Sequence, residues 1–168
     1  MSGRGAVRVA PQNGGLGVAG SNPVAPTIVS HVEINEQIAV ICSFGFYSGF
    51  TEMKKFVLMT NDDGVHAPGI QILRKTIDPV WDTVIVAPDR ERSAASHALT
   101  LNRPLRVNII DDITMAVDGT PTDCVMLSIM GLLDRRPDLI ISGINNGANL
   151  GDDVIYSGTV AGAAEAAL

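Results

Sequence analysis

Two adjacent carboxylates follow a short apolar run and are the residues best suited to chemistry in this chain. Phe56-Val57-Leu58-Met59 leads directly into Thr60-Asn61-Asp62-Asp63-Gly64. In an α/β protein, a strand followed directly by such a loop places acidic oxygens at the carboxyl edge of the sheet, where ligands bind. Adjacent aspartates repel each other, and a hard divalent cation such as Mg²⁺ or Mn²⁺ relieves that repulsion by binding their oxygens. Asp-Asp-Gly is also a common solvated turn, so the pair alone leaves both interpretations open.

Polar side chains also follow later apolar runs. Ser93 and His97 lie in the loop after residues 83–87, and Asn145 and Asn146 follow residues 139–141. The carboxyl ends of parallel strands share one edge, so oxygens from three loops could meet at one ion. Each residue has an ordinary structural alternative, such as a helix cap for Ser93 or a turn for Asn145.

The last helix predicted from the sequence begins with small residues, Ser157-Gly158-Thr159. Small residues at a helix start leave main-chain N–H groups open to an anion, and the helix dipole favours negative charge there. Ser157 is equally suited to an ordinary N-cap role. The segment therefore predicts either a phosphate site or a simple helix cap.

The elements that must position these residues alternate along the chain. Apolar runs predict strands at 56–59, 83–87 and 139–141, helices at 69–77, from Pro121 to about Leu133 and from Ser157, and short strands at 99–101, 105–110 and 113–117. This order predicts an α/β fold with an open, doubly wound, mostly parallel, Rossmann-like sheet and a small inserted β-meander. On the first helix, Ile70, Leu73 and Ile77 share one face and are expected to be buried.

Composition excludes several classes of partner. The 168 residues carry a net charge of −6, a pI near 4.9 and only 4% aromatic residues, which argues against a nucleic-acid polymer or an anionic membrane. The longest uncharged apolar run, Ile38 to Phe50, is shorter than the roughly 20 residues of a transmembrane helix. Cys42 and Cys124 provide neither a disulfide framework nor zinc-ligand spacing. These features predict a cytoplasmic protein.

The two ends of the chain differ from its middle. Residues 1–52 are rich in glycine and are expected to be a disordered extension or the product of a mis-called start, with the domain occupying residues 53–168. Gly15 to Gly20 matches G-x-G-x-x-G, but Pro23 and Pro26 follow where a dinucleotide-binding helix would have to begin. The chain stops inside the helix predicted from Ser157, which indicates a domain truncated at its C-terminus.

Five motifs together resemble the SurE family of survival-protein nucleotidases. They are Thr60-Asn61-Asp62-Asp63-Gly64 with His66-Ala67-Pro68-Gly69, Ala87-Pro88-Asp89-Arg90 through Ser93, Gly119-Thr120-Pro121-Thr122-Asp123-Cys124, Ser142-Gly143-Ile144-Asn145, and Ser157-Gly158-Thr159-Val160. The resemblance runs from Lys54 to Leu168, and the family's domain continues beyond that point. It implies a metal-dependent phosphomonoesterase that hydrolyses nucleoside monophosphates with one divalent ion, Mg²⁺ or Mn²⁺, in a homo-oligomer. The alternative is an inactive truncated fragment of such an enzyme.

The resemblance also assigns roles to individual residues. It makes Asp62, Asp63, Ser93 and Asn145 the metal ligands, and Asn61, Asn146, Ser157, Gly158 and Thr159 the contacts to substrate and phosphate. His97 becomes a candidate for protonating the leaving oxygen, with a structural hydrogen bond as its alternative role. One departure is Ala95, where family members commonly have Gly.

Two other protein classes with acidic residues after a first strand fit less well. A phosphatase with an aspartyl nucleophile needs Asp-x-Asp, whereas Asp62 and Asp63 are adjacent. A phospho-receiver domain needs an acceptor Asp at the end of a central strand and a later Lys, but there is no lysine after Lys75. A metal-activated water therefore fits the sequence better than a covalent phosphoaspartate.

Overall fold

The computed structural model describes Val29–Ile34, Ile38–Phe44 and residues 54–168. The strands in these parts of the chain are β1 (Val29–Ile34), β2 (Ile38–Phe44), β3 (Phe56–Thr60), β4 (Asp82–Pro88), β5 (Val107–Asp111), β6 (Thr114–Val117) and β7 (Leu139–Gly143). The helices are α1 (Pro68–Ile77), α2 (Pro121–Leu127), α3 (Asp153–Tyr156) and α4 (Gly158–Ala167), and a π-helical turn (Ser128–Leu132) extends α2.

All of these strands form one sheet in the order β1-β2-β7-β3-β4-β6-β5. The neighbours β7, β3, β4 and β6 run parallel, while β5 and the β1–β2 pair are antiparallel to their neighbours. The predicted fold class, an α/β protein with a mostly parallel open sheet, is confirmed. The four parallel strands bring their carboxyl ends, including Thr60, Pro88 and Gly143, to one edge.

Helices cover both faces of the sheet because side chains alternate along the buried strands. Val57 and Met59 pack with Ile70 and Leu73 of α1 on one face. Leu58 belongs to the core on the other face, which α2 covers and to which Ala166 of α4 adds contacts. Full burial of each such aliphatic side chain contributes about 1.5–3 kcal/mol. The predicted inward face of α1 is thus confirmed for Ile70 and Leu73, and Ile77 packs at its margin.

Residues 99–101 form no strand, so that prediction is wrong. Thr100 instead donates its main-chain N–H (2.8 Å) and its hydroxyl (2.7 Å) to the carboxylate of Asp123. Asp123 is fully buried and also closes the capping box of α2 with Thr120. The main-chain N–H of Thr100 is thus bonded to the cap of α2 and is not available to pair with a neighbouring strand. The predicted meander is therefore a β5–β6 hairpin, and β6 joins it to β4.

Two strands lie within the N-terminal region for which the sequence predicts no regular element. β2 pairs with β7, a partner about a hundred residues away along the chain, and β1 pairs with β2. A partner that distant leaves no trace in local periodicity, which explains why neither strand was predicted. The rest of residues 1–52 lies outside the described part of the chain, as does the rejected G-x-G-x-x-G segment. The assignment of residues 1–52 to a non-family extension stays a prediction.

A membrane-crossing helix would need to be longer and more apolar than any helix found in the described residues.

Candidate active site

The turn after β3 is shaped by Asn61, whose side chain is fully buried. Its amide oxygen accepts the Gly64 N–H at 3.1 Å, and its amide nitrogen donates to the Gly64 carbonyl at 3.2 Å. Gly64 has a φ of +101°, a conformation that glycine adopts without steric cost. Asn61 thus holds the turn that presents Asp62 and Asp63. Its predicted contact with substrate stays a prediction.

We expect Asn61→Ala to lower the free energy of unfolding by about 1–3 kcal/mol, because both Gly64 groups lose a buried partner. Asn61→Asp keeps an acceptor for the Gly64 N–H, but it buries a third carboxylate beside Asp62 and Asp63 and opposite the Gly64 carbonyl. Chemical denaturation at neutral pH should therefore show both variants less stable than wild type, with Asn61→Asp at least as destabilised as Asn61→Ala. Equal stability of all three proteins would show that the turn does not depend on this side chain.

Asp62 points at the start of α4. Its Oδ2 accepts the Gly158 N–H at 3.1 Å, and its Oδ1 accepts the Thr159 hydroxyl at 2.6 Å. The side chain is 4% exposed, and a Cβ on Gly158 would lie 2.7 Å from the Asp62 Cβ. The positive end of the helix dipole therefore faces a carboxylate supplied by the protein itself. Ser157 is the N-cap of α4 and accepts the Val160 N–H at 3.2 Å.

Asp63 is less buried and lies between negative charges. Its Oδ2 accepts the Asn146 main-chain N–H at 2.9 Å. Burial raises the pKa of Asp63 above its ordinary value, and the negative charges of Asp62 and Glu91 raise it further, whereas the Asn146 N–H lowers it. Burial and the neighbouring carboxylates thus disfavour the ionised form of Asp63, an effect that a cation bound beside it would oppose.

We expect Asp63→Asn to raise the melting temperature of the metal-free protein at neutral pH. A pKa that is raised in the folded state means that ionised Asp63 destabilises the fold. Protonated Asp63 favours the folded state. That contribution to stability is complete below the pKa that Asp63 has in the unfolded chain, and it is lost as pH rises through the higher pKa that Asp63 has in the folded chain. Asn removes the charge and keeps an acceptor for the Asn146 N–H. Thermal melts in EDTA should therefore show a gain at pH 7 that shrinks towards pH 3; a loss at pH 7 would contradict this account.

Asn145 lies within reach of the Asp62 cluster. Its Oδ1 is 3.5 Å from the Thr159 hydroxyl, the same group that donates to Asp62. Its Nδ2 donates to the Gly147 carbonyl at 3.1 Å, which orients the amide and also fits the turn-forming alternative. The structure thus brings together five of the predicted residues from three loops. They are Asp62, Asp63, Asn145, Gly158 and Thr159, with the Asn146 main chain beside them.

Ser93 and His97 make their side-chain contacts elsewhere among the described residues. The Ser93 hydroxyl donates to Glu91 Oε1 at 2.7 Å, so it is not a helix cap. The Ser93 loop nevertheless joins the site through its main chain, because the Arg92 N–H donates to the Asp62 carbonyl at 2.6 Å. His97 Nε2 lies 2.8 Å from Glu165 Oε2 on α4, which is the predicted structural alternative. The metal role of Ser93 and the proton-donor role of His97 stay predictions.

The loop that carries Ser93 has a strained main chain. Ala94 and Ser96 have φ angles of +59° and +54°, and neither is glycine. Ala94 and Ser96 thus adopt the left-handed conformation. Ala95, where SurE family members commonly have Gly, does not. Ser96 holds the loop against α3, with its N–H on the Tyr156 carbonyl (3.1 Å) and its hydroxyl on the Ile155 carbonyl (3.0 Å).

The family model described as survival protein SurE matches residues 57–168. The chain belongs to the SurE family. A 5'-nucleotidase SurE of Pelobacter propionicus is 63% identical over 112 residues, which are 67% of this chain and 45% of that protein. The 5'-nucleotidase SurE of Geobacter sulfurreducens is 60% identical over 112 residues, which are 67% of this chain and 43% of that protein. This chain thus spans less than half the length of these SurE relatives.

A solved structure shows the same fold. The crystal structure of the SurE protein from Aquifex aeolicus matches with a TM-score of 0.63 and 48% sequence identity. The match covers 66% of this chain and 46% of the Aquifex chain. The match therefore shows the same fold for about two thirds of this chain.

The donor chemistry of the site suits a hard divalent cation. Its side-chain donors are the carboxylates of Asp62 and Asp63 and the amide oxygen of Asn145, all of them oxygens, while the Ser93 hydroxyl on the neighbouring loop donates to Glu91. No cluster of three or more His, Cys, Asp or Glu side chains with metal-binding geometry occurs in the described residues. Carboxylate and amide oxygens suit Mg²⁺ or Mn²⁺ better than zinc, which favours Cys and His ligands.

Sequence reasoning missed two acidic residues, Glu91 near Asp63 and Glu165 towards the end of α4. Glu91 accepts the Ser93 hydroxyl and acts on the pKa of Asp63, and its position two residues before Ser93 could have revealed it. Glu165 pairs with His97 across 68 positions of the chain, and no local pattern indicates such a pair.

Proposed function

We propose that this chain carries the metal and phosphate site of a phosphomonoesterase that hydrolyses nucleoside monophosphates to nucleoside and phosphate. The observation that carries the proposal is the pair Asp62–Asp63 held against the N-terminus of α4 in a chain of the SurE family. The name of the relatives, 5'-nucleotidase SurE, supports the substrate class.

In this proposal Asp62, Asp63, Asn145 and Ser93 hold one divalent cation, Mg²⁺ or Mn²⁺. When bound, the cation supplies positive charge to the phosphoryl oxygens and acidifies the attacking water. The protein's own contribution is to hold the two carboxylates side by side. The Gly158 N–H and the Thr159 hydroxyl donate to Asp62, and the Asn146 N–H donates to Asp63. These bonds support a fixed orientation of both carboxylates at the site.

The phosphate of the substrate is proposed to lie at the start of α4, against Ser157, Gly158 and Thr159. The dipole of this ten-residue helix favours negative charge there. Asp62 accepts the Gly158 N–H and the Thr159 hydroxyl, so the phosphate would share this end of the helix with the Asp62 carboxylate. Asn61 and Asn146 are proposed as further contacts to substrate. The positive end of the α4 dipole would stabilise the charge that develops on the phosphoryl oxygens as the bond to the ribose oxygen breaks.

His97 is the proposed proton donor to the leaving ribose oxygen. Its pairing with Glu165 fixes the orientation of the imidazole ring and supports a defined position for it. We further propose that the protein is cytoplasmic, works as a homo-oligomer and has neither nucleic-acid polymers nor membranes as partners. The acidic net charge of −6 supports the exclusion of nucleic-acid polymers.

A second candidate is an inactive fragment with the same ancestry. The observation that favours it is length, since the matched region covers only 43–45% of the two relatives above. Such a fragment would keep the metal donors around Asp62 and lose turnover.

A phosphate-release assay on the 168-residue chain tests both candidates. The panel comprises nucleoside 5'- and 3'-monophosphates with Mg²⁺, Mn²⁺ or EDTA, and the Asp62→Asn protein serves as a blank for contaminating phosphatases. The nucleotidase proposal expects release that stops in EDTA and returns with the metal. Mn²⁺ binding by electron paramagnetic resonance without any release supports the inactive fragment. Release that EDTA does not affect would contradict the metal-dependent mechanism.

A further inference from the structure

A group of arginines lines a depression beside the candidate site in an otherwise acidic protein. The depression has a volume of about 400 Å³ and is lined by Arg90, Arg103, Pro104, Arg106 and Asp118. An adjoining depression of about 390 Å³ shares Arg90, Arg106 and Asp118 and extends to Asp89, Asn108 and Ala116. We call these two depressions the arginine pocket.

The pocket contains more positive donors than its own acceptors satisfy. Asp118 is fully engaged, because its Oδ2 pairs with Arg103 Nη1 at 2.9 Å and its Oδ1 accepts the Arg106 main-chain N–H at 2.9 Å. The Asp118 carbonyl accepts Arg92 Nη2 at 2.9 Å and also a hydrogen bond from Arg103. These contacts lower the pKa of Asp118, with the Arg106 N–H as the largest cause, so this carboxylate is charged and committed to its neighbours.

Two guanidinium groups lack a short ion pair with the described residues, although the charge of Arg106 acts on Asp118 from a distance. Arg90 is 66% exposed, and its Nε lies 3.8 Å from Asp89, which Arg92 also approaches at 3.6 Å. The Arg106 guanidinium forms neither a hydrogen bond nor an ion pair with residues 54–168. Three arginines thus face two carboxylates around this depression, in a chain whose net charge is −6. Clustered guanidinium groups match the geometry of phosphate oxygens.

The pocket lies on the same edge of the sheet as the Asp62–Asp63 turn and one strand away. It is formed after β4 and at the end of β6, while the aspartates follow β3, the neighbour of β4. Arg92 bridges the two places, with its N–H on the Asp62 carbonyl and its Nη2 on the Asp118 carbonyl. A Cβ on Gly64 would lie 3.1 Å from the Arg90 carbonyl carbon, so the Arg90 main chain lies against the aspartate turn.

We propose that the arginine pocket binds a phosphate-class anion through Arg90, Arg103 and Arg106. The source of that anion is either free inorganic phosphate or a second phosphate group on a nucleotide whose first phosphate lies at α4. The second source rests on the proposed function, and the first does not. In both cases the pocket balances the negative aspartate site with positive charge one strand away.

The first arm of the test measures the anion alone. Titration of the metal-free 168-residue chain in EDTA with inorganic phosphate, followed by ³¹P NMR, should show saturable binding. Arg106→Ala and the double variant Arg90→Ala/Arg106→Ala should weaken it, the double variant by about tenfold. Arg106 supports the fold through its main-chain N–H, which alanine retains. Arg136→Ala, an exposed arginine before β7 and away from the pocket, is the matched charge control and should bind as wild type does.

The second arm measures the source. With Mn²⁺ present, a nucleoside 3',5'-bisphosphate is compared with the 5'-monophosphate of the same nucleoside. If the second phosphate occupies the pocket, the double variant raises KM for the bisphosphate about tenfold, leaves KM for the monophosphate unchanged, and Arg106→Lys recovers part of the loss. Phosphate binding that depends on the arginines without this KM difference supports the free anion. If neither nucleotide is hydrolysed, the nucleotidase proposal is overturned, and the phosphate titration of the first arm alone tests the arginine pocket. Phosphate binding that is absent in wild type, or equal in wild type and the double variant, overturns the arginine pocket.

Discussion

Asp62→Asn is expected to abolish metal-dependent hydrolysis and to destabilise the fold at the same time. Asn cannot supply a second anionic oxygen, so one of the two donors on this carboxylate, the Gly158 N–H or the Thr159 hydroxyl, loses its acceptor. A buried donor left unpaired costs about 1–3 kcal/mol, and the start of α4 also loses its favourable negative charge. Loss of a direct metal ligand should exceed the roughly 10–100-fold effect of losing an outer partner. Mn²⁺ titration and thermal melts measure the two effects separately.

Asp63→Asn is the matched comparison, because it makes the same chemical change at the next residue. It should also lose Mn²⁺ affinity, yet its metal-free protein should be at least as stable as wild type, since the raised pKa of Asp63 marks an unfavourable charge. The two variants thus separate support of the helix from metal binding. Equal stability of the two, or Mn²⁺ binding by Asp62→Asn at wild-type affinity, would contradict the assigned geometry.

Gly158→Ala is expected to disrupt the site from the helix side. The added Cβ would lie 2.7 Å from the Asp62 Cβ and 2.9 Å from its Oδ2, closer than atoms tolerate. Because Asp62 is buried and bonded, the conflict must move the carboxylate or α4, at a cost of about 1–3 kcal/mol. Displacement of a ligating carboxylate should lower Mn²⁺ affinity by at least about tenfold. Calorimetric titration with Mn²⁺ and a thermal melt check the two parts.

Gly151→Ala controls for the added methyl group at a glycine that packs against nothing. A Cβ there would have no heavy atom within 4 Å, and its φ of +55° costs a non-glycine residue about 1–2 kcal/mol. It should therefore lose stability similarly but keep Mn²⁺ affinity. If Gly158→Ala also keeps Mn²⁺ affinity, then contact between α4 and Asp62 does not matter for the metal site.

The sequence predicted the parts of the fold that depend on local patterns. The buried strands, the amphipathic helix α1 and the capped helix α2 follow from apolar periods and from Thr120-Pro121 at a helix start. The sequence-based prediction failed where partners distant along the chain determine the local structure. Thr100 lies in a loop because Asp123 takes its donors, and β2 is a strand because β7 offers an open edge. Neither partner is visible within a local window.

The candidate site was predictable as a set of loops but not as a set of contacts. Because the carboxyl ends of parallel strands share an edge, the proximity of Asp62, Asp63 and Asn145 could be predicted from the sequence. The sequence could not show that Asp62 occupies the anion position at α4, since that depends on the close approach that Gly158 permits. Nor could it show that His97 pairs with Glu165, because helix α4 brings Glu165 to the Ser93 loop only in the folded sheet.

The most direct test of the metal site is an anomalous difference map from a crystal of the 168-residue chain soaked in Mn²⁺. Data collected at the manganese edge locate the ion without any assumption about activity. The account predicts one peak within coordination distance of carboxylate oxygens from both Asp62 and Asp63, with the Asn145 amide oxygen beside it, and no such peak in Asp62→Asn. A saturated crystal with no peak at this position, or with its peak on other residues, would contradict it.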